Sequence, residues 1–337
     1  MRSLGSLLAA VLVAVVLLAA SAPSQSANPA PNPTPPRSTG SGGVANGIRS
    51  PGLFRRREVP VFWLLGQSNC AGGAHGNWLS NPFTPGNRWP QLAYQPFAKI
   101  WWPGPSAMRP NSRPGWEDYR TGQGANVNNA NWHLTEPNFG PEAGFADAAS
   151  RALGEPVYLF KFVAVAALNP DANPSFSKLP DRESLFDEII REWRRAAAAL
   201  DAADLVPQIR GIVWIQGEYD FIANFSDTYG THLTRFIGDL RGTIATLHQD
   251  NVPVRFVIAE MHDRHVPASF FDYGEARLRA AQQQVASTLE DVFVTDVDDL
   301  PLDFGSPAHV HFDGLGGVLL GQRLFASWSA GEGPPRR

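Results

Sequence analysis

The chain has one cysteine, Cys70, among its 337 residues. A lone cysteine excludes any intrachain disulfide, so an exported fold of this sequence would rest on its hydrophobic core alone. The apolar fraction of 43% is ample for such a core. No nucleophile signature surrounds Cys70, and we expect it to be a small buried side chain.

Clusters of basic residues are also scarce. The formal net charge is -4 and the isoelectric point of the sequence is near 6.1. The basic runs are Arg55–Arg57 and the last two residues. Because nucleic-acid binding needs a concentrated face of Lys and Arg to contact phosphates, we expect no nucleic-acid partner.

A long uncharged run opens the chain. Residues 3–22 are dominated by Leu, Ala and Val, follow Arg2, and lead into small residues and prolines. This pattern predicts a signal peptide over residues 1–27 and a secreted or extracellular protein with no stable membrane insertion after cleavage. The alternative is an uncleaved N-terminal membrane anchor, because the run is about as long as a membrane-spanning helix.

Residues 28–57 are rich in Pro, Ser and Gly and hold few large apolar side chains. Such a composition cannot bury enough surface to fold, so it predicts a disordered tether. Residues 58–330 then form the predicted domain, in which no internal repeat is visible.

Apolar strands alternate with amphipathic helices along this domain. The predicted strands are Val61–Leu65, Val157–Val165, Ile209–Ile215, Val254–Ala259 and Val292–Val297. The predicted helices are Pro141–Leu153, Glu183–Ala203, Tyr229–Leu247, Gly274–Leu289 and Gly316–Trp328. This alternation predicts an α/β fold, a flavodoxin-like three-layer α/β/α architecture with a five-stranded parallel sheet.

The segment Ala74–Asn138 interrupts this pattern. Together with Trp63 it holds seven of the ten tryptophans, and it shows little helical or alternating period. A connection of this length is either disordered or functional, and the aromatic residues argue against disorder. Tryptophan faces beside polar side chains suit stacking on sugars, although packing of an irregular lid is an equal alternative. We predict that Trp101 and Trp102 bind substrate.

Polar side chains follow three of the predicted strands. Gln67, Ser68 and Asn69 follow the first strand, residues 216–218 follow the third, and two histidines follow the fifth. The carboxyl ends of parallel strands meet at one edge of a sheet, where ligands bind. A hydroxyl, an imidazole and a carboxylate at that edge suit nucleophilic acyl transfer. The alternative for Ser68 is a turn serine that caps the next segment, and we predict that Gln67 and Asn69 contact substrate.

Five motifs in order resemble a known family. They are GQSN (66–69), FGPE (139–142), WIQGE (214–218), RLRAAQ (277–282) and HFDGLGGVLLGQR (311–323). Over roughly residues 58–329 the chain resembles the sialic-acid-specific acetylesterase-like branch of the SGNH hydrolases, which includes carbohydrate esterase family six. The resemblance implies that Ser68 is the nucleophile and His311 the base. It also implies an oxyanion hole made by the backbone N–H groups of Ser68 and Gly140 and the side-chain amide of Gln216.

The chain departs from this family at two places. Many relatives carry an aspartate three residues before the histidine, where this chain has Ala308. We therefore predict Glu218 as the acid that orients His311, with Asp303 and Asp313 as alternatives. The second strand of relatives often ends in two glycines, whereas this chain reads Val-Ala-Ala at 165–167, a change expected to narrow the substrate cleft.

Other histidines raise the question of a metal. His309 lies two residues from His311 and would point to the opposite side of an extended segment, which predicts a structural role. His262, Asp263 and His265 are possible ligands, but they lack a clear three-ligand spacing. We expect no metal and no cofactor.

These observations predict a monomeric, secreted serine esterase that removes O-acetyl groups from a carbohydrate. The alternative is a non-catalytic carbohydrate-binding protein on a decayed esterase fold. A lipid or thioester hydrolase is disfavoured, because no apolar acyl tunnel is legible in the loops.

Overall fold

The computed structural model describes residues 56–75, 79, 89–103, 113–121, 138–248, 254–263, 274–303 and 311–330. The predicted signal peptide, and all of the tether except residues 56 and 57, lie outside these residues. From Arg57 onward the described residues belong to one compact unit, Arg57–Arg337. Within the described ranges, no helix combines the length and apolar character that crossing a membrane requires.

The strands are β1 (Arg57–Gly66), β2 (Ala74–His75), β3 (Tyr94–Trp102), β4 (Gly115–Arg120), β5 (Asn138–Phe139), β6 (Val157–Val163), β7 (Leu205–Ile215), β8 (Arg255–Ala259) and β9 (Val292–Thr295). The helices are α1 (Ser68–Ala71), α2 (Pro141–Leu153), α3 (Leu185–Asp201), α4 (Glu218–Ile222), α5 (Tyr229–His248), α6 (Gly274–Thr288) and α7 (Gly314–Ala330). Every predicted strand and helix overlaps one of these elements.

The main sheet has seven strands in the order β4-β3-β6-β1-β7-β8-β9. All neighbouring strands run parallel except β4, which pairs antiparallel with β3. The five predicted strands form its flavodoxin-like centre and one flank, so the predicted fold class is confirmed. The predicted count of five strands is too low. The two extra strands come from the tryptophan-rich segment, where Pro96 and a register shift between Gln95 and Lys99 obscure any alternating pattern.

Strand β1 lies at the centre of the sheet and is buried on both faces. Phe62 and Leu64 pack into the cluster that includes residues of α2 and α7. Val61, Trp63 and Leu65 pack into the opposite cluster, with residues of α3, α5 and α6. Because successive strand residues point to opposite faces, a strand covered on both sides is apolar throughout. This arrangement gives the three layers.

Local signals define the helix ends. Helix α3 begins after Ser184, whose N–H and hydroxyl both lie 3.0 Å from the Asp187 carboxylate and form a capping box. Helix α2 begins at Pro141 and ends before Gly154, which adopts the left-handed conformation at φ 68°. These caps satisfy backbone groups that the helices leave without partners.

The end of β1 lies directly against the end of β7. The chain goes from β1 to β6 on one side and then crosses to β7 on the other, so β1 and β7 flank the topological switch point of the sheet. Gly66 pairs with Ile215, and its φ is 154°. A Cβ at Gly66 would collide with the Ile215 carbonyl oxygen. Glycine here allows the turn after β1 to reach the switch point.

Candidate active site

Ser68 is the solvent-reachable residue of an otherwise buried turn. Gln67 donates its N–H to the Ile215 carbonyl at 3.0 Å, and the short helix α1 follows at once. The residues on either side of Ser68 are buried, whereas Ser68 is half-buried. Neither its hydroxyl nor its N–H bonds to another described residue. The fold therefore presents one hydroxyl, at the predicted nucleophile, to the crevice beyond the strands.

The turn that contains Gly140 packs against the end of α1. Gly72 has a φ of 80°, and a Cβ at Gly72 would collide with the backbone of Gly140. The Gly140 N–H donates to Glu142 Oε1 at 2.9 Å. The predicted oxyanion-hole donor is thus close to the nucleophile turn, and its hydrogen is held by a carboxylate.

Glu142 belongs to a buried polar cluster beneath this turn. Its Oε2 accepts from Lys161 Nζ at 2.6 Å, and its Oε1 also accepts from the Tyr119 hydroxyl at 3.1 Å. Lys161 donates in addition to the Ala71 carbonyl at 2.9 Å. Burial, followed by the charge of Glu142, raises the pKa of Tyr119. The cluster joins β4, β6, α2 and the end of α1.

Gln216, the other predicted oxyanion-hole donor, is held by α4 and by the loop after β6. Its Nε2 donates to Asp220 Oδ2 at 2.5 Å and to the Ala166 carbonyl at 3.1 Å. Asp220 Oδ1 also accepts the N–H groups of Leu168 and Asn169, at 3.1 and 3.2 Å. Burial raises the pKa of Asp220 to about 6, against these hydrogen bonds. Asp220 therefore ties Gln216 to the loop that carries Ala166 in place of the family's glycines.

Asn69 connects the nucleophile turn to two other segments. Its Nδ2 donates to Glu218 Oε1 at 2.6 Å, and its Oδ1 accepts the N–H of Phe312 at 3.2 Å. Glu218 is buried, and this burial raises its pKa, whereas the Asn69 hydrogen bond lowers it. Both ends of the Asn69 amide therefore bind protein groups, and a substrate contact of Asn69 stays a prediction.

His311 is held at the end of the sheet by a short backbone pairing. Leu302 and Phe312 form an antiparallel bridge, and the Asp303 N–H donates to the His311 carbonyl at 2.8 Å. Burial lowers the pKa of His311, and the negative charge of Asp303 raises it. Asp303, one of the alternative acids, therefore acts electrostatically on the imidazole. Ala308 and His309 lie outside the described residues.

Asp313, the other alternative acid, caps a helix. Its Oδ1 accepts the Gly316 N–H at 2.7 Å in the first turn of α7. Burial raises the pKa of Asp313, and hydrogen bonds from the helix backbone lower it. This carboxylate stabilises a helix start, which is a structural role.

The predicted sugar platform is part of the protein interior. Trp101 is 2% exposed, and Trp102 is 4% exposed. Trp101 Nε1 donates to Glu192 Oε1 at 2.7 Å, and its ring packs 5.7 Å from that of Trp116. Gln67 is also buried, and its Oε1 accepts the Tyr219 N–H at 3.3 Å. Trp101, Trp102 and Gln67 are thus enclosed by protein groups, which favours packing over sugar binding, and their substrate contacts stay predictions.

Two of the candidate metal ligands, His262 and Asp263, lie near the side chain of Arg279. His262 Nδ1 is 3.1 Å from Asp263 Oδ1. The backbone N–H of Asp263 donates to Asp298 Oδ1 at 3.0 Å. The Arg279 guanidinium contacts both oxygens of Asp298 at 2.7 Å. The positive charge next to this acidic group is thus an arginine side chain, and His265 is outside the described residues. Cys70 is buried, and burial raises its thiol pKa to about 12, which leaves it protonated and unreactive at neutral pH.

Two structural clusters escaped the sequence reasoning. Lys161 is a single charge inside the apolar strand VYLFKFV, a pattern that signals a buried partner. Asp220 stands in the motif WIQGEYD, close to the predicted site residues Gln216 and Glu218. Neither position reveals all its partners from sequence, because Glu142, Tyr119 and Ala71 are distant from Lys161, and Leu168 and Asn169 are distant from Asp220.

The described residues form a three-layer α/β/α domain in which Ser68 follows the central strand β1 and His311 follows the last strand, β9. The fold is similar to that of a protein from Arabidopsis thaliana, with 20% identity and a TM-score of 0.56 over 81% of this chain and 98% of that one. It is also similar to NanS, with 13% identity and a TM-score of 0.57 over 82% and 98% of the two chains. No curated protein sequence matches this chain. The family model of the carbohydrate esterase, sialic acid-specific acetylesterase, matches residues 58–329, and the chain belongs to this family. The resemblance drawn from the motifs is confirmed.

Proposed function

We propose that this protein is a secreted serine esterase that removes O-acetyl groups from a carbohydrate, with Ser68 as nucleophile and His311 as general base. The observation that carries the proposal is the 3.2 Å hydrogen bond from the Phe312 N–H to Asn69 Oδ1. It joins the residue after the nucleophile to the residue after the base. The reaction needs a hydroxyl that reaches solvent and an imidazole that can accept its proton, and burial lowers the pKa of His311, which favours the neutral form.

The proposed chemistry has two acyl-transfer steps. Ser68 Oγ attacks the acetyl carbonyl carbon while His311 takes the hydroxyl proton, and the tetrahedral intermediate collapses as the imidazolium returns that proton to the departing sugar oxygen. Water then attacks the acetyl-enzyme with His311 again as base. Acetate leaves, and Ser68 Oγ recovers its proton. The sugar hydroxyl and acetate are the products.

The oxyanion of each intermediate needs preorganised donors. The Ser68 N–H has no acceptor among the described residues, which supports its role as a donor. Gly140 and Gln216 are proposed to assist, and each now donates to a carboxylate, Glu142 and Asp220 respectively. To bind the oxyanion, each donor would have to share its hydrogen between the carboxylate and the oxyanion, or release the carboxylate. One donor of this kind is worth about 3 kcal/mol in other serine hydrolases.

The acid beside His311 has two candidates. The sequence prediction is Glu218, which is buried and whose Oε1 accepts a hydrogen bond from Asn69 Nδ2 at 2.6 Å. Asp303 is supported by its charge, which raises the pKa of His311, and by the backbone bond that keeps the two residues adjacent. We propose Asp303 as the acid that stabilises the imidazolium and retain Glu218 as the rival.

Family membership supports an acetylated carbohydrate as substrate. The proposed export rests on the uncharged N-terminal run and its exit of small residues. The alternative of a carbohydrate-binding protein on a decayed fold is not favoured, because the chain keeps both the serine and the histidine in segments that contact each other.

Release of acetate tests the proposal. The protein should hydrolyse a small aryl acetate and release acetate from an O-acetylated oligosaccharide, and it should act poorly on aryl esters with long acyl chains. Absence of acetate release from every acetylated substrate would leave the binding-protein alternative. A strong preference for long acyl chains would indicate a lipase.

A further inference from the structure

We infer that Asn69 is a positioning residue whose amide, oriented by Glu218, fixes the His311 segment against the nucleophile turn. The inference rests on the proposed function, since it concerns the geometry of Ser68 and His311. It assigns to Asn69 a role other than substrate binding and to Glu218 a role other than that of a charged partner of the imidazole.

One end of the Asn69 amide binds a hydrogen-bond acceptor, and the other end binds a hydrogen-bond donor. Nδ2 donates to the Glu218 carboxylate at 2.6 Å, and Oδ1 accepts the Phe312 N–H at 3.2 Å. If the amide turned over, its oxygen would face a carboxylate and its nitrogen would face an N–H. Glu218 therefore determines which atom of Asn69 meets Phe312.

The same bond supports the backbone next to His311 from a second side. On the first side, the Asp303 N–H donates to the His311 carbonyl at 2.8 Å, and Leu302 bridges Phe312. Asn69 adds a contact from the turn of the nucleophile itself. A backbone held on both sides leaves the imidazole little freedom to drift from Ser68.

Because of where Asn69 lies, a small displacement of its amide should lower kcat. Asn69 is 4% exposed and directly follows Ser68, so any shift of its amide moves the nucleophile turn or the His311 segment. A misplacement of about 1 Å between reacting groups can lower a rate by about 100-fold. Substrate binding, which uses other groups, should change little.

Reversal of the hydrogen-bond polarity tests the inference. Asn69→Asp keeps the acceptor for Phe312 but removes the donor to Glu218, and kcat on an aryl acetate at pH 8 should fall by about 10- to 100-fold with KM within about twofold. Glu218→Gln keeps an acceptor for Asn69 but loses the charge that orients the amide, so kcat should fall by less than in Asn69→Asp. In the double variant, the new amide can donate to the new carboxyl, and kcat should rise by about tenfold above that of Asn69→Asp.

The pH dependence distinguishes positioning from a loss of packing. The carboxyl introduced by Asn69→Asp can donate to Glu218 once it is protonated. The rate of this variant relative to wild type should therefore rise as the pH is lowered from 8 to 6. A ratio independent of pH, or a double variant no faster than Asn69→Asp, would overturn the inference. So would a loss of several orders of magnitude in Glu218→Gln, because that result would make Glu218 the charged partner of His311.

Amide hydrogen exchange decides the inference even without activity. The Phe312 N–H should exchange faster in Asn69→Ala than in wild type, while Ser68→Ala should leave it unchanged. If the Phe312 N–H exchanges equally slowly in Asn69→Ala and in wild type, the inference is contradicted. This result is independent of whether Asn69→Asp folds. If the wild-type protein hydrolyses no ester but the exchange result holds, the proposed function fails and the Asn69 contact stands.

Discussion

Lys161 Nζ lies 2.6 Å from Glu142 Oε2, and both side chains are fully buried. Removing one partner of a buried pair leaves a charge without compensation, whereas removing both charges can be nearly neutral. Lys161→Met should lower the free energy of unfolding by about 3 to 5 kcal/mol. Adding Glu142→Gln should recover much of this loss, because its oxygen can still accept from Gly140 and Tyr119.

Urea denaturation at pH 7 measures both variants. The matched control is Arg191→Met, which breaks an exposed ion pair with Glu183 at 3.0 Å and should cost less than about 1 kcal/mol. Equal effects of Lys161→Met and the control would show that the buried pair does not stabilise this turn.

Ser68→Ala should abolish hydrolysis of the aryl acetate and leave the melting temperature near that of wild type. The substitution removes the attacking oxygen, and Ser68 is a half-buried residue whose hydroxyl holds no other described residue. Ser150→Ala, in the last turns of α2, is the control and should keep full activity. More than a few per cent residual turnover in Ser68→Ala would assign the nucleophile elsewhere.

The value of kcat/KM on an aryl acetate should rise with pH through the titration of His311 in the free enzyme. Burial lowers the pKa of this imidazole below its usual value of 6.5, and only the neutral form accepts the serine proton. Activity should thus be lost as the pH falls through a midpoint below 6.5 and be level from about pH 7 to 8. Because burial raises the pKa of Asp220 to about 6, the imidazole of the free enzyme should be followed directly by NMR alongside kcat/KM. A midpoint above 6.5 would contradict the burial effect.

Asp303→Asn should lower kcat by about 100- to 10,000-fold, since the loss of a triad acid has effects up to this size in serine proteases. The variant should also lower the pKa of His311 further, because it removes the charge that raises this pKa. Asp313→Asn is the matched control. Asparagine is a good helix cap, so this control should keep its stability and most of its activity. Near-normal turnover in both variants would leave Glu218 as the acid or Ser68 and His311 as a dyad.

Trp101→Ala should destabilise the fold by about 3 to 5 kcal/mol, the usual cost of truncating a buried aromatic residue. Trp101→Phe should lose the hydrogen bond to Glu192 and part of the buried ring volume, a smaller cost of about 1 to 3 kcal/mol. The folded Trp101→Phe protein should retain the same fraction of wild-type activity on an aryl acetate as on an acetylated oligosaccharide. A selective loss on the oligosaccharide would restore the stacking role that the sequence suggested.

The sequence by itself determined the alternation of strands and helices and the polar turns at strand ends. Those features are local: a run such as Val61–Leu65 has to be buried on both faces, and Gly66 with Gln67 and Ser68 has to turn. Periodicity and turn chemistry act over a few residues, so they can be read without knowledge of the partners. The motifs in order were enough to indicate the family.

Only the tertiary structure decided what each polar side chain contacts. Asn69 reaches residues 149 and 243 positions away, and Trp101 is covered by a helix 91 positions later. Burial is a property of the assembled layers, so a tryptophan that packs and one that binds a sugar look alike in sequence. The pKa of His311 likewise depends on burial and on Asp303, which the fold places beside it.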